Sequence, residues 1–295
     1  MKILYYALGG EDTASSRLRV HKVSRELISR GHIVRVVTSD MSRKPMDDEI
    51  IVVQKRLDLC RVQPRWVAAG HRVVFDIDDP TPKVPDHSVM TVGSKELQAQ
   101  HEGSIYIPDC LDVDDSTVYK KTHNDEVNSV CWFGLSCNLY HAYPVMMACR
   151  ELELNFVVVT DVDGRVDVPL WPGVDYRPWS RETIDQEIMS HDLITCPYVE
   201  GGRWGTEWTL CKGENRLFKA WALGMPVLGS PIPSYLEHGL QDHAWTPTEW
   251  KDLIEKFQDR KLRAANARNG RKIAIKQTTF KITNQWLKVF RNAKS

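Results

Sequence analysis

The stretch CKGENRLFKAWALGMPVLGSP, Cys211 to Pro231, sets the pattern by which the whole chain is read. It opens polar and charged, turns into the apolar helical run LFKAWAL, and is punctuated by Gly224 and Pro226. Glycine just past the last periodic residue is a helix stop, with proline soon after it. The short run PVLG that follows reads as a buried strand. A helix feeding a short apolar strand is one step of an alternating α/β pattern.

The alternation holds in both directions. Upstream lie the strands VCWFGL, NFVVVTD, VDYRPWS and DLITCPY, with the helices LYHAYPVMMACREL and ETIDQEIMSH between them. Near the N-terminus KILYYAL is a strand and ASSRLRVHKVSRELISRG a helix ending at Gly31. IVRVVTSD, IIVVQKR, RVVFDID, HSVMTVGS and GSIYIPD follow as strands. Such a chain predicts parallel sheets with helices on both faces. The polar stretch KKTHNDEVNS, Lys120 to Ser129, marks where the pattern restarts. The expected divisions are therefore residues 1–126, residues 127–278, and a C-terminal helix over 279–295. In that helix Trp286, Leu287, Val289 and Phe290 share a face suited to packing across the domains. Ligands of open α/β sheets bind beyond the carboxyl ends of the strands, so the residues after each strand are the ones to inspect.

The 295 residues are 42% hydrophobic and 26% charged, as in globular proteins. No apolar run approaches the roughly 18 residues of a membrane span. The N-terminus MKILYYALGGED lacks the features of a signal peptide, which points to the cytoplasm. The seven cysteines, Cys60, Cys110, Cys131, Cys137, Cys149, Cys196 and Cys211, include no CxxC pair. An odd, scattered set suggests neither a disulfide framework nor a zinc site. With 39 basic and 39 acidic residues the chain is no strongly basic, nonspecific nucleic-acid binder. From Lys251 onward, however, bases outnumber acids. That segment is a solvated helix face or a patch for an anionic partner.

If the 211–231 helix begins near Lys212, then Lys212, Arg216 and Lys219 fall at i, i+4 and i+7 on one face. The helix N-terminus favours anions, and arginine grips a phosphate bidentately. The set predicts a diphosphate site, although a surface ion pair would account for any one of these cations. GGEDTASSRLR places Gly9, Gly10, Ser15 and Arg17 after the first strand, but it is not the GxGxxG dinucleotide fingerprint. FGLSCN places Gly134 and Ser136 after the first strand of the second half, where a phosphate could lie. YVEGGRWGTEW, beginning at Tyr198, is a Gly-rich candidate cover for a ligand. Glu237 touches the ligand or begins a helix.

VVFDIDDP puts Asp76, Asp78 and Asp79 at the end of a strand. A carboxylate there positions or deprotonates a hydroxyl, or simply caps its loop. The spacing is also that of the Asp-x-Asp loop of haloacid-dehalogenase-type phosphatases. Pro80 stands where that motif wants Thr or Val, and PTPKVPD does not readily begin a helix.

KGENRLFKAWALGMPVLGSPIPSYLEHG, together with VDYRPWSRETIDQEIMSHDLITCPY, resembles the C-terminal half of GT-B glycosyltransferases, the retaining glycogen-synthase and mannosyltransferase type (glycosyl transferases group 1). SSRLR, RELISRGHIVRVVT, VVFDIDD and IPDCLD resemble their N-terminal half. The resemblance implies two Rossmann-like domains facing a cleft, with a C-terminal helix returning to the first. It implies a nucleotide diphosphate sugar, UDP-linked above all, held by the second domain. Lys212 and Arg216 would bind its diphosphate, with Gly134 near it, and Asn215 and Lys219 are further candidates on the same helix. The family's two glutamates, eight positions apart, are Cys211 and Lys219 here, and lysine cannot accept from ribose hydroxyls. The expected activity is sugar transfer to an acceptor hydroxyl by a monomer, without metal or other cofactor. A small metabolite, a glycan, a protein or a hydroxylated base in DNA would each serve as acceptor. The alternative is a protein that binds nucleotide sugars without catalysis.

Overall fold

The computed structural model describes residues 1–38, 44–55, 63–80, 89–114, 118–161, 171–201 and 205–292. The chain divides into two compact units. The first comprises Met1–Leu111, Cys211–Gly213 and Gln277–Ser295; the second comprises Asp112–Leu210 and Glu214–Lys276. The polar stretch 120–129 lies in the second.

The first unit holds β1 (Lys2–Tyr6), β2 (Ile33–Val37), β3 (Glu49–Gln54), β4 (Arg72–Ile77), β5 (Val89–Val92) and β6 (Ile105–Tyr106). They form one parallel sheet in the order β2-β1-β3-β4-β5-β6. Every residue of β3 is buried, as expected of a central strand covered on both faces. The helices are α1 (Ala14–Ser16), α2 (Lys22–Ser29), α3 (Gln63–Ala68) and α4 (Lys95–Gln100). A π-helical turn, Arg17–His21, joins α1 to α2. Such bulges recur at functional sites.

The second unit holds β7 (Ser129–Phe133), β8 (Asn155–Thr160), β9 (Asp175–Pro178), β10 (Leu193–Cys196) and β11 (Val227–Gly229). These pair in parallel in the order β11-β10-β7-β8-β9. A 3₁₀ turn, Ser136–Ala142, leads into α5 (Tyr143–Glu151). Then come α6 (Ile184–Met189), α7 (Thr206–Leu210), α8 (Asn215–Ala222), α9 (Pro233–Glu237), α10 (Pro247–Lys256) and α11 (Arg260–Ala274). Chain order reverses between β1 and β3 in one sheet and between β7 and β10 in the other. Those switch points are where an open α/β sheet leaves a crevice for ligands.

The last helix, α12 (Thr279–Asn292), belongs to the first unit. Its Ile282, Trp286, Val289 and Phe290 share a core with Val20, Val23 and Leu27 and with Tyr5 and Val52 of the sheet. Each such side chain contributes about 1.5–3 kcal/mol on burial. No described helix is long and apolar enough to cross a membrane.

The helix predicted from Lys212 starts later. Glu214 is the N-cap of α8, and Asn215 is its first residue. The preceding Cys211–Gly213 packs with the first unit instead. Cys211 is buried there with Ile77, Val92 and Leu97, which holds the segment out of helical register. Further on, α11 lies so close to α8 that a Cβ on Gly270 would stand 2.3 Å from the Trp221 ring.

Burial, reinforced by Lys120, Arg263 and Arg260, holds the His123 imidazole down at about 4. The unfolded chain then takes up its proton first, near the ordinary value of about 6.5. The stability His123 provides is complete above that pH and is lost as pH falls toward 4. Urea midpoints should decline more gently across this window in His123→Gln than in the native chain. Parallel declines would place the acid sensitivity on other groups.

Candidate functional site

In the second unit the switch point lies between the carboxyl ends of β7 and β10, and Arg216 of α8 stands beside it. Its guanidinium carbon is 4.9 Å from the Tyr198 ring centroid and 5.9 Å from that of Trp132. Both distances are within cation–π range. Among the described residues no carboxylate forms an ion pair with Arg216. Burial alone would lower its pKa, but the Tyr198 and Tyr235 phenols outweigh this and hold the charge firmly on.

Gly134 follows β7. A Cβ there would meet the Trp132 ring at 3.0 Å and Arg216 Nη1 at 3.5 Å, so a side chain would crowd the cation. The Gly134 carbonyl accepts from Thr160 Oγ1 at 2.8 Å. Ser136 donates its backbone N–H to Asp161 Oδ1 at 2.6 Å. Its buried hydroxyl has no partner among the described residues. Tyr198 is anchored through its own N–H, which donates to Ser230 Oγ at 2.9 Å. Ser230 lies just past β11. The structure thus gathers Gly134 and Tyr198 around the Arg216 cation. Trp132, which supplies a wall, is a strand residue with no motif of its own; its position two before a strand-end glycine is the one signal for it.

The other two predicted cations are occupied. Lys219, only 8% exposed, lies 2.6 Å from Asp185 Oδ1 and 3.5 Å from Asp112 Oδ2. It also donates to the Asp112 carbonyl at 2.9 Å. Lys212 pairs with Asp79 Oδ1 at 2.5 Å within the first unit. Asn215 is half-buried at the start of α8, and Glu237 is exposed at the end of α9. In the Gly-rich loop Gly202, Arg203 and Trp204 lie outside the described residues.

In the first unit the three aspartates after β4 have different surroundings. Arg19 Nε donates to Asp76 Oδ2 at 2.9 Å and Nη2 to Asp76 Oδ1 at 2.7 Å. Thr91 Oγ1 adds a third bond to Asp76 Oδ1 at 2.8 Å. Both ionic partners are 1% exposed. Arg19 Nη1 also reaches Asp109 at 3.0 Å and the Ile107 carbonyl at 2.8 Å. An attacking nucleophile needs an oxygen open to substrate, and Asp76 offers none, which removes the phosphatase reading. Asp78 and Asp79 each lie 2.6 Å from Lys55 Nζ. Burial would raise the Asp79 pKa, but Lys55 and Lys212 outweigh it and hold the carboxyl below its usual range. Burial dominates at Lys55 and lowers its pKa.

The loop after β1 is tied back on itself. Gly9 donates its N–H to Ser16 Oγ at 3.0 Å, and Arg17 Nη1 donates to the Glu11 carbonyl at 2.7 Å. Ser15 is half-buried, and a side chain on Gly10 would meet open space. Gln54, at the end of β3, accepts through Oε1 from Leu8 N–H at 3.0 Å and from Ser16 Oγ at 2.9 Å.

No protein-family model and no curated protein sequence matches this chain. Solved structures do match it. A glycosyltransferase from Rickettsia africae ESF-5 aligns over 99% of this chain and 98% of its own, with TM-score 0.73 at 9% identity. AviGT4, a glycosyltransferase involved in avilamycin A biosynthesis, aligns over 99% and 98%, with TM-score 0.68 at 11% identity. The chain has the GT-B fold. A third GT-B relative is an α-glucosyltransferase solved with UDP and a 13-mer DNA containing an HMU base. It aligns over 99% of this chain and 100% of its own, with TM-score 0.66 at 10% identity. At such identities it is the GT-B architecture that is shared.

Asp76→Ala should destabilise the protein by about 3–5 kcal/mol, because it strands the buried Arg19 charge. Chemical denaturation checks this, and the double change Arg19→Met with Asp76→Leu should recover much of the loss. A stability loss below about 1 kcal/mol for Asp76→Ala alone would mean that water or Asp109 already compensates Arg19.

Proposed function

We propose that this GT-B chain transfers a sugar from a UDP-sugar, held by its second unit, to an acceptor hydroxyl held by its first. The observation that carries this is Arg216: a half-buried guanidinium, fixed between two rings at a switch point, with no carboxylate partner among the described residues. A partly desolvated cation with no carboxylate beside it is preorganised for an anion. The leaving diphosphate gains charge in the transition state, which is where a fixed cation contributes most. Gly134 leaves room for the phosphates, and the Ser136 hydroxyl has hydrogen-bonding capacity to offer them. Support for UDP comes from the α-glucosyltransferase solved with it and from a mutant T4 phage BGT solved with UDP-glucose, which matches at TM-score 0.60 and 11% identity.

Asp78 and Asp79 are the acceptor-side groups in this reading. Held below the usual carboxylate range, Asp79 is a weak base. Its part is to fix Lys55 and Lys212 electrostatically, which leaves Asp78 nearest to proton transfer. Asp76 positions the loop through Arg19. A hydroxyl on a DNA base is the acceptor class favoured by the α-glucosyltransferase solved with HMU-containing DNA. Arg216 is assigned the charge that a metal would otherwise carry. A T4 phage BGT was nonetheless solved with UDP and Mn²⁺, so the assignment needs its own measurement.

In a thermal-shift experiment UDP at a hundredfold excess over its dissociation constant should stabilise the native protein by about 2.7 kcal/mol. Arg216→Ala should abolish the shift, and Arg216→Lys should restore only part of it. Equal shifts in native and Arg216→Ala protein would remove the diphosphate assignment. Transfer of labelled glucose from UDP-glucose to hydroxymethyluracil-containing duplex should persist in EDTA. Loss on chelation with rescue by Mn²⁺ would give the charge to a metal. Asp78→Asn should lower the transfer rate about a hundredfold with the UDP shift intact. An unchanged rate would move the base elsewhere.

A further inference from the structure

The charge of this chain is strongly segregated. From Arg260 to Ser295 there are 11 lysines and arginines and no acidic residue, which leaves 28 bases against 39 acids in the rest. Within the second unit these cations divide into two sets. Arg260 pairs with Asp125 at 2.7 Å. Arg263 is fully buried and donates to the Phe257 and Gln258 carbonyls, and Arg271 donates to the Ala222 carbonyl at the end of α8. Lys261, Arg268, Lys272 and Lys276 form the other set. All four are exposed, and among the described residues none has a carboxylate partner.

The spacing of the four is seven, four and four residues. At about 100° per residue Lys261, Arg268 and Lys272 occupy one stripe of α11, and Lys276 follows in the turn after its end at Ala274. At about 1.5 Å per residue the helical part of the stripe is roughly 16 Å long. The opposite face of the helix is already packed: Gly270 lies against Trp221, and Ala267 and Ala274 are buried. A helix that lies on a membrane needs a continuous exposed apolar face, whereas α11 buries Ala267, Gly270 and Ala274 against the unit and leaves only Leu262, near its start, and Ile275, at its C-cap, exposed. What it presents outward is a row of cations, and the extended partner with matching chemistry is a phosphodiester backbone. Duplex DNA carries one charge per about 1.7 Å of axis, so a row of roughly 16 Å meets several phosphates.

We propose that Lys261, Arg268, Lys272 and Lys276 form a docking surface for the backbone of double-stranded DNA. This rests on the reading that the acceptor is a base within DNA. Backbone contacts position the duplex without reading sequence, so the stripe sets affinity and not base choice.

The test is fluorescence anisotropy of a labelled 20-base-pair duplex of mixed sequence with the full chain, titrated across salt concentrations. The native protein should bind with affinity that falls steeply with salt. A triple variant, Arg268→Gln, Lys272→Gln and Lys276→Gln, should bind at least tenfold more weakly, with a log–log salt slope shallower by about 2.7. Lys281→Gln with Lys288→Gln, exposed cations of α12 in the first unit, should retain most of the affinity. Absence of duplex binding by the native protein, or equal losses in both variants, would overturn the proposal. Binding of phosphatidylserine vesicles in place of DNA, lost in the triple variant, would overturn it in favour of a membrane. The UDP thermal shift separates the two readings. If UDP fails to shift the native protein while duplex binding depends on the stripe, sugar transfer falls and the DNA surface stands. If UDP shifts both proteins equally and no duplex binds, the reverse holds.

Discussion

A guanidinium wholly or partly withdrawn from water needs either a counter-charge or an electron-rich face beside it. The two units of this chain give the two answers. Arg19, in the first, is held by Asp76 on two bonds and by Asp109 on a third. Its charge is fully used, and what it accomplishes is to tie the π-helical turn to β4 and to the segment after β6. Arg216, in the second, has aromatic rings where Arg19 has carboxylates. The rings steady it without neutralising it. One arginine is therefore spent on architecture, while the other keeps its charge for the diphosphate role proposed for it, and the distinction rests on their neighbours alone.

That distinction explains what sequence could and could not supply. The alternation of strands and helices, the two α/β halves and the returning C-terminal helix were legible, because each is a local pattern of apolar residues. The run LFKAWAL also announced a buried helix with a charged start. The fates of Lys212, Arg216 and Lys219 were not legible. Their spacing suggests one shared face, yet Lys212 is drawn to Asp79, 133 positions away, and Lys219 to Asp185 and Asp112. Ion pairs between distant segments leave no periodic trace. Nor did the sequence mark Lys55, whose ammonium joins Asp78 to Asp79, or the π-helical turn at Arg17–His21.

The three aspartates of FDIDD show the same limit at closer range. They are neighbours in sequence and carry the same side chain. Burial, Arg19 and Thr91 enclose the first, while the other two share a lysine. A motif names which residue types are present at a strand end. The surrounding charges determine which of them is left to act.

The return of α12 to the first unit has a consequence for synthesis. Domains generally fold in the order in which they leave the ribosome, at about 5–20 residues per second. Here the segments of the second unit end at Lys276, while the first unit still lacks Trp286 and Phe290 from its core. The first unit is therefore completed only after the second has been made. Until α12 has emerged, the apolar surface over Val20, Val23 and Leu27 awaits its cover, and the nascent chain must carry it exposed while the whole of the second unit is synthesised.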